Sequence, residues 1–109
     1  MSINSKNKGK VGERELVNYL KSKGYTARRT QQFSGNKDGT SDVICDELKD
    51  FHIEVKRVEK LNIYDAMEQA IRDAELENTI PIVAHRRNRD YWKVTLRLDD
   101  FIKLLEGRV

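Results

Sequence analysis

Glu54 and Lys56 stand two residues apart in the stretch DFHIEVKRVEK, residues 50–60. Read as a strand, whose side chains alternate between faces, the stretch points Phe51, Ile53 and Val55 one way, into a core. His52, Glu54 and Lys56 then share the opposite face. One reading is a half-solvated strand with a polar outer face. The other is a carboxylate that binds a metal ion, with a lysine beside it to act on a water or a phosphate.

Two more carboxylates bear on that choice. Asp42 follows a glycine-containing loop and precedes Val43–Ile44, so it opens a strand; an ordinary turn aspartate has the same address. If SDVICDEL and DFHIEVKRV form an antiparallel hairpin turning near residues 48–49, the start of the first strand approaches the end of the second. Asp42 then comes beside Glu54 and Lys56. Glu13 falls within the apolar stripe of Leu16, Val17 and Leu20 at about 100° per residue, whereas Glu15 points to solvent. An inward carboxylate is costly to bury without a cation or donors. The plainer account makes Glu13 a first-turn residue that favours the helix dipole at a wet end. Three carboxylates suit Mg²⁺, which takes oxygen ligands and keeps several waters. Such an ion polarises a phosphate and lowers the pKa of a bound water, while a lysine orients that water or stabilises charge.

The elements that must position these residues follow from periodicity. Val11, Leu16, Val17 and Leu20 predict a helix from about Val11 to Lys23, stopped by Gly24. TARRTQQF is extended and leads into the loop SGNKDGTS. Two strands follow, joined near Leu48–Asp50, and then a helix from Ile63 to Asn78 marked by Ile63, Met67, Ala70, Ile71 and Ala74. TIPIVAHR is a short buried strand with its proline near the start, where it is tolerated. DYWKVTLRL alternates Tyr91, Lys93, Thr95 and Arg97 with Trp92, Val94, Leu96 and Leu98. DDFIKLLEG closes as a helix with Asp99 or Asp100 near its start and Gly107 after it. The order αβββαββα makes an α/β fold, a sheet flanked by helices.

With 109 residues, a single proline and six glycines, the chain is one small domain with little room for linkers. Residues 1–10 form a flexible basic arm and residues 11–109 the domain. No apolar run approaches the roughly 20 residues of a membrane span, and MSINSKNKGK carries no signal-peptide core, so the expected place is the cytoplasm. The one cysteine, Cys45, has no disulfide partner in the chain and is a small core residue. Charge is unevenly spread: nine Lys/Arg against two acids in 1–37, five against twelve in 38–79, and seven against four in 80–109. Basic flanks suit a phosphate backbone, and an acidic centre repels it unless carboxylates hold cations. A soluble, evenly solvated surface is the bland alternative.

KGKVGERELVNYLKSKGYTARRTQQFSG, then SDVI, IEVK and YDAMEQA, together resemble the PD-(D/E)XK nuclease superfamily. Within it the chain is most similar to archaeal and phage Holliday junction resolvases, from Lys8 to about Ala84. The resemblance implies a restriction-endonuclease-like core with a mixed central sheet. It implies Glu13, Asp42 and Glu54 as metal-binding carboxylates, joined by the Val55 carbonyl, with Lys56 as the catalytic lysine. Mg²⁺ or Mn²⁺, one or two ions per site, would be the cofactor. Arg14 and Arg29 match basic positions that handle substrate, Ser34–Gly35 a mobile loop, and Gln69 a glutamine on the following helix. Where the pattern has a proline before the aspartate, this chain has Ser41.

The expected function is metal-dependent hydrolysis of DNA phosphodiesters, on branched DNA such as a four-way junction, with a place in recombination and repair. A homodimer would supply two matched cuts. Small size and the resemblance lean towards a phage, whose host's cytoplasm would then be the compartment. Lys8, Lys10, Arg14, Arg28, Arg29, Ser34 and Gln69 are the expected DNA contacts. Two alternatives stand beside this. One is a nuclease of the same fold for flaps, single strands or duplex; the other is a DNA-binding module that has lost activity. His52 shares the face of Glu54 and has two readings, a residue bordering the site or, preferred, a surface strand histidine. HRRNRDYW, residues 85–92, suits either a DNA backbone or water.

Overall fold

The computed structural model describes residues 5–30 and 41–107. The elements are α1 (Ser5–Ser22), β1 (Ala27–Arg29), β2 (Val43–Cys45), a 3-10 turn (Asp46–Leu48), β3 (Phe51–Arg57), α2 (Ile63–Glu77), β4 (Ile80–Arg86), β5 (Lys93–Thr95) and α3 (Leu98–Leu105). The αβββαββα order expected from periodicity is present. The helix α1 begins at Ser5 rather than near Val11, and it ends where Gly24 adopts a positive φ of 93°. In α2 the Asn62 side chain accepts from the Asp65 N–H at the start. At the other end Asn78, in the left-handed region, donates its N–H to Ala74 and Glu75 carbonyls.

β3, β4 and β5 form a mixed sheet in that order, β3–β4 parallel and β4–β5 antiparallel. The parallel pair requires a crossover, and α2 supplies it. Pro81 fits because Ile80 turns its N–H to β3, which leaves the Pro81 nitrogen on the other edge. There β5 pairs only with Val83–His85, so no ladder bond is lost.

β1 and β2 form a separate antiparallel pair, Ala27 opposite Cys45 and Arg29 opposite Val43. The expected hairpin between the second and third strands is therefore corrected: the ladder partner of β2 is β1, and that of β3 is β4. What survives is one backbone–backbone hydrogen bond just before β2, where Asp42 N–H donates to the Ile53 carbonyl at 3.1 Å.

Two cores lie on opposite faces of the larger sheet. Leu16 and Val17 of α1 pack with Ala27, Val43, Ile53, Val55, Ile82 and Ala84. On the other face Ala66 and Ala70 of α2 meet Val83, with Leu61, Ile63 and Met67 beside them. Small alanines let α2 lie close to the sheet. Among the described helices, none is long and apolar enough to cross a membrane. The helix α3 is turned the other way round from the rest. It buries Asp100, which accepts from Arg97 Nε at 2.9 Å, and leaves Leu98 and Leu105 69% and 71% exposed.

Candidate active site

The strand β3 runs between two helices, so both of its faces are covered. His52 is 0% exposed and Glu54 4%, which overturns both the half-solvated strand and the surface histidine. The cover comes from α2, where Gln69, Asp73 and Glu77 form a polar stripe beside the ridge of Ala66, Ala70 and Ala74. Lys56 Nζ donates to Gln69 Oε1 at 3.5 Å, and His52 Nδ1 lies 3.3 Å from Glu77 Oε1. Between them, ligand atoms of His52, Glu54 and Asp73 lie within 4.8 Å of one another. The spacing is geometric: two strand residues advance about 6.6 Å and four helix residues about 6 Å, so a returning helix keeps step with the strand.

Asp42 is fixed to β3 from the other side. Its carboxylate accepts the Val55 N–H at 3.0 Å, between Glu54 and Lys56 in sequence. Burial pushes the Asp42 pKa up to about 7, with further upward pressure from the charges of Glu54 and Glu13. The Val55 hydrogen bond and the Lys56 ammonium act in the opposite sense. Glu13, Glu54 and Lys56, scattered over the sequence, thus all act on the charge of Asp42. Lys56 Nζ stands 3.9 Å from Glu54 Oε2.

Glu13 lies well inside α1, not in its first turn, because the helix starts at Ser5. It is 8% exposed and accepts from Arg29 Nε at 3.1 Å, which answers the demand of a buried carboxylate for a donor. Arg29 therefore belongs to the site itself. Glu15 does not point to solvent: it is half-buried and clamps Arg57, at 3.1 Å, and Arg86. That clamp ties α1 to the ends of β3 and β4. Lys10 and Arg14 are exposed on α1, and Arg28 is exposed beside Asp46 at 3.4 Å. The Lys8 side chain and Ser34 lie outside the described residues.

Three partners surround His52, and of these Glu77 is the one that the sequence did not single out. Its Nε2 is 3.2 Å from Glu54 Oε1, and its Nδ1 is 3.2 Å from Ser41 Oγ as well as near Glu77. Burial opposes a charge on the ring, but the hydrogen bonds and charges of Glu54 and Glu77 outweigh it and raise the pKa above the ordinary histidine value. Both carboxylates accept, so both ring nitrogens must carry protons for both bonds to form. In the loop after β4, Asp90 accepts from Lys93 Nζ at 2.6 Å and Arg87 Nε at 3.1 Å, while Arg89 and Tyr91 are exposed.

The donor set fits a divalent cation. Asp42, whose pKa is pushed up by burial and then by the charges of Glu54 and Glu13, is what a hard cation would relieve, and the three carboxylates supply the oxygens it prefers. His52, Glu54 and Asp73 offer a second grouping, one nitrogen with two carboxylates.

The architecture is that of the PD-(D/E)XK nucleases. Among solved structures it is similar to Hjc, a Holliday junction resolvase from the archaeal hyperthermophile Archaeoglobus fulgidus. The TM-score is 0.60 at 23% identity, over 80% of this chain and 75% of that one. Residues 4–108 match the family described as "Phage putative PDDEXK endonuclease", and the chain belongs to that family. No curated protein matches it.

Proposed function

We propose that the protein is a divalent-metal-dependent endodeoxyribonuclease that cuts branched DNA, with a four-way junction as its main substrate. The observation that carries this reading is the Asp42 carboxylate, held on the Val55 N–H and under the combined charge of Glu54, Glu13 and Lys56. Glu13, Asp42, Glu54 and the Val55 carbonyl would hold one or two Mg²⁺ or Mn²⁺. When bound, the ions supply an activated water and offset charge on the phosphate. Lys56, steadied by Gln69 on one side and Glu54 on the other, orients the attacking water and meets the charge that builds at phosphorus. Arg29 holds Glu13 in place. Lys8, Lys10, Arg14, Arg28 and Ser34 are assigned to the DNA backbone.

The junction as substrate is supported by the likeness to Hjc, a resolvase by its own description. Two matched cuts need two sites, and a two-fold homodimer is the simplest way to supply them. The outward apolar residues of α3, Leu98 and Leu105, are a surface that a second copy would cover. Light scattering that gives a monomer with and without junction DNA would remove the dimer from the proposal.

The test sets a labelled four-way junction against a matched linear duplex, in Mg²⁺, Mn²⁺ and EDTA, with Lys56→Ala beside the wild type. Paired symmetric nicks on the junction are expected, absent in EDTA and reduced about 100-fold or more by the substitution. Equal cutting of the duplex would keep the nuclease and remove its junction preference. Tight binding with no cutting under any condition would leave a DNA-binding module.

A further inference from the structure

We infer that His52 is a positioning residue: from a fully buried place it fixes the orientation of Glu54 and ties that carboxylate to the segment that carries Asp42. The inference rests on the reading above, since it concerns two carboxylates assigned there to a cation.

A glutamate has three side-chain torsions, and a ligand that must be found among its rotamers binds less tightly than one already in place. The His52 ring removes that freedom. Its Nε2 engages Glu54 Oε1 at 3.2 Å, which leaves Oε2, 3.9 Å from Lys56 Nζ, to face the site. The ring itself has no freedom to give, being 0% exposed. Its other nitrogen is held by Ser41 Oγ at 3.2 Å and by Glu77 Oε1 at 3.3 Å.

Ser41 extends the brace to the second carboxylate. Its Oγ also accepts the Ile53 N–H at 3.2 Å. The next residue, Asp42, donates its N–H to the Ile53 carbonyl and takes the Val55 N–H on its side chain. One ring therefore connects a ligand on β3 with the strand end that presents another. A proline at position 41 would have no hydroxyl to offer, so the serine that departs from the family pattern is what makes the link. A residue present only to fill the core would not need three polar partners; an apolar side chain of similar size would pack there at lower cost.

The test is Mn²⁺ binding by the metal-free protein, followed by calorimetry and by the nitrogen couplings in the spin-echo spectrum of the bound ion. Nicking against Mn²⁺ concentration is measured in parallel. His52→Leu keeps the bulk and removes both nitrogens, His52→Gln restores one donor, and Glu77→Ala removes the outer brace from the protein surface. His52→Leu is expected to bind Mn²⁺ roughly 10–100-fold more weakly, as loss of a ligand's hydrogen-bonding partner commonly does. It needs correspondingly more Mn²⁺ for half-maximal cutting, while the rate at saturating Mn²⁺ falls less. His52→Gln recovers part of the affinity, and Glu77→Ala loses affinity to a smaller extent. The wild-type spectrum carries no directly bonded nitrogen. Unchanged affinity in a folded His52→Leu overturns the inference. Should that variant fail to fold, unchanged affinity in Glu77→Ala does the same. A nitrogen bonded to the ion also overturns it, by making His52 a ligand. A wild type that neither takes up Mn²⁺ nor cuts overturns the nuclease reading and this one together. A wild type that does both leaves only the brace at stake.

Discussion

At the scale of single residues, the site stores an electrostatic cost that a cation would lift, and Asp42 is where it is largest. Its folded pKa of about 7 lies above the ordinary 3.8, so between those values the folded protein binds more protons than the unfolded chain. Stability of the metal-free protein then falls as pH rises through that window and stays low above it. A shift of this size corresponds to about 4 kcal/mol as an upper limit. Asp42→Asn is expected to melt several degrees higher than wild type in EDTA at pH 8, with the advantage shrinking towards pH 4. Equal melting temperatures at pH 8 would mean that burial and the neighbouring carboxylates do not disfavour the charge on Asp42. The types and spacing of Glu13, Asp42, Glu54 and Lys56 were legible because each stands out against a local apolar pattern. His52 was not, since its burial depends on α2, which brings Asp73 and Glu77 beside it. In sequence those residues read as the wet side of a helix. Only the step-for-step match of α2 to β3 sets them beside the ring.

At the scale of elements, the placement of Glu13 depends on how closely α1 crosses β3. A Cβ built on Gly12 would stand 2.6 Å from the Arg57 Cβ, closer than two side chains can come. In an ordinary helix interior, Gly→Ala stabilises by about 1 kcal/mol. Here the sign is expected to reverse: Gly12→Ala lowers the urea midpoint. Because Glu13 is the next residue, cutting weakens by more than the loss of folded protein accounts for. A more stable Gly12→Ala would show that α1 can move off β3 freely. The glycine itself could be read from the sequence, but its partner Arg57 could not. The same limit applies to the strands. Helices α1 and α2 are long enough to show their period, whereas β1 and β2 have three residues each and show none. The short Leu48–Asp50 connection suggested a hairpin by turn chemistry alone. Instead, the 3-10 turn at Asp46–Leu48 leaves β2 paired with β1, and the backbone hydrogen bond to β3 is made at the Asp42 end.

At the scale of the whole molecule, the charge distribution makes an argument that no single residue makes. The net charge is +3, yet residues 38–79 hold twelve acids against five bases, between flanks that are both basic. Lys10, Arg14 and Arg28 are exposed where a phosphate backbone can reach them, while the buried Glu13 and Glu54 and the half-buried Asp42 form an acidic patch. DNA drawn in by the flanks therefore meets repulsion at the centre unless that patch is neutralised. For contacts made only by Lys and Arg, added Mg²⁺ competes for phosphates and weakens binding, just as other salt does. If the phosphate must lie against the carboxylates, Mg²⁺ strengthens binding instead. Anisotropy of a labelled junction with Lys56→Ala, which separates binding from cutting, is expected to show tighter binding in Mg²⁺ than in EDTA at matched ionic strength. Adding Asp42→Asn to that protein should raise affinity in EDTA and reduce the gain from Mg²⁺, because one of the repelling charges is gone. The sign of the Mg²⁺ effect decides the matter: weaker binding on adding the ion would mean that the DNA rides on the basic flanks without entering the carboxylate site.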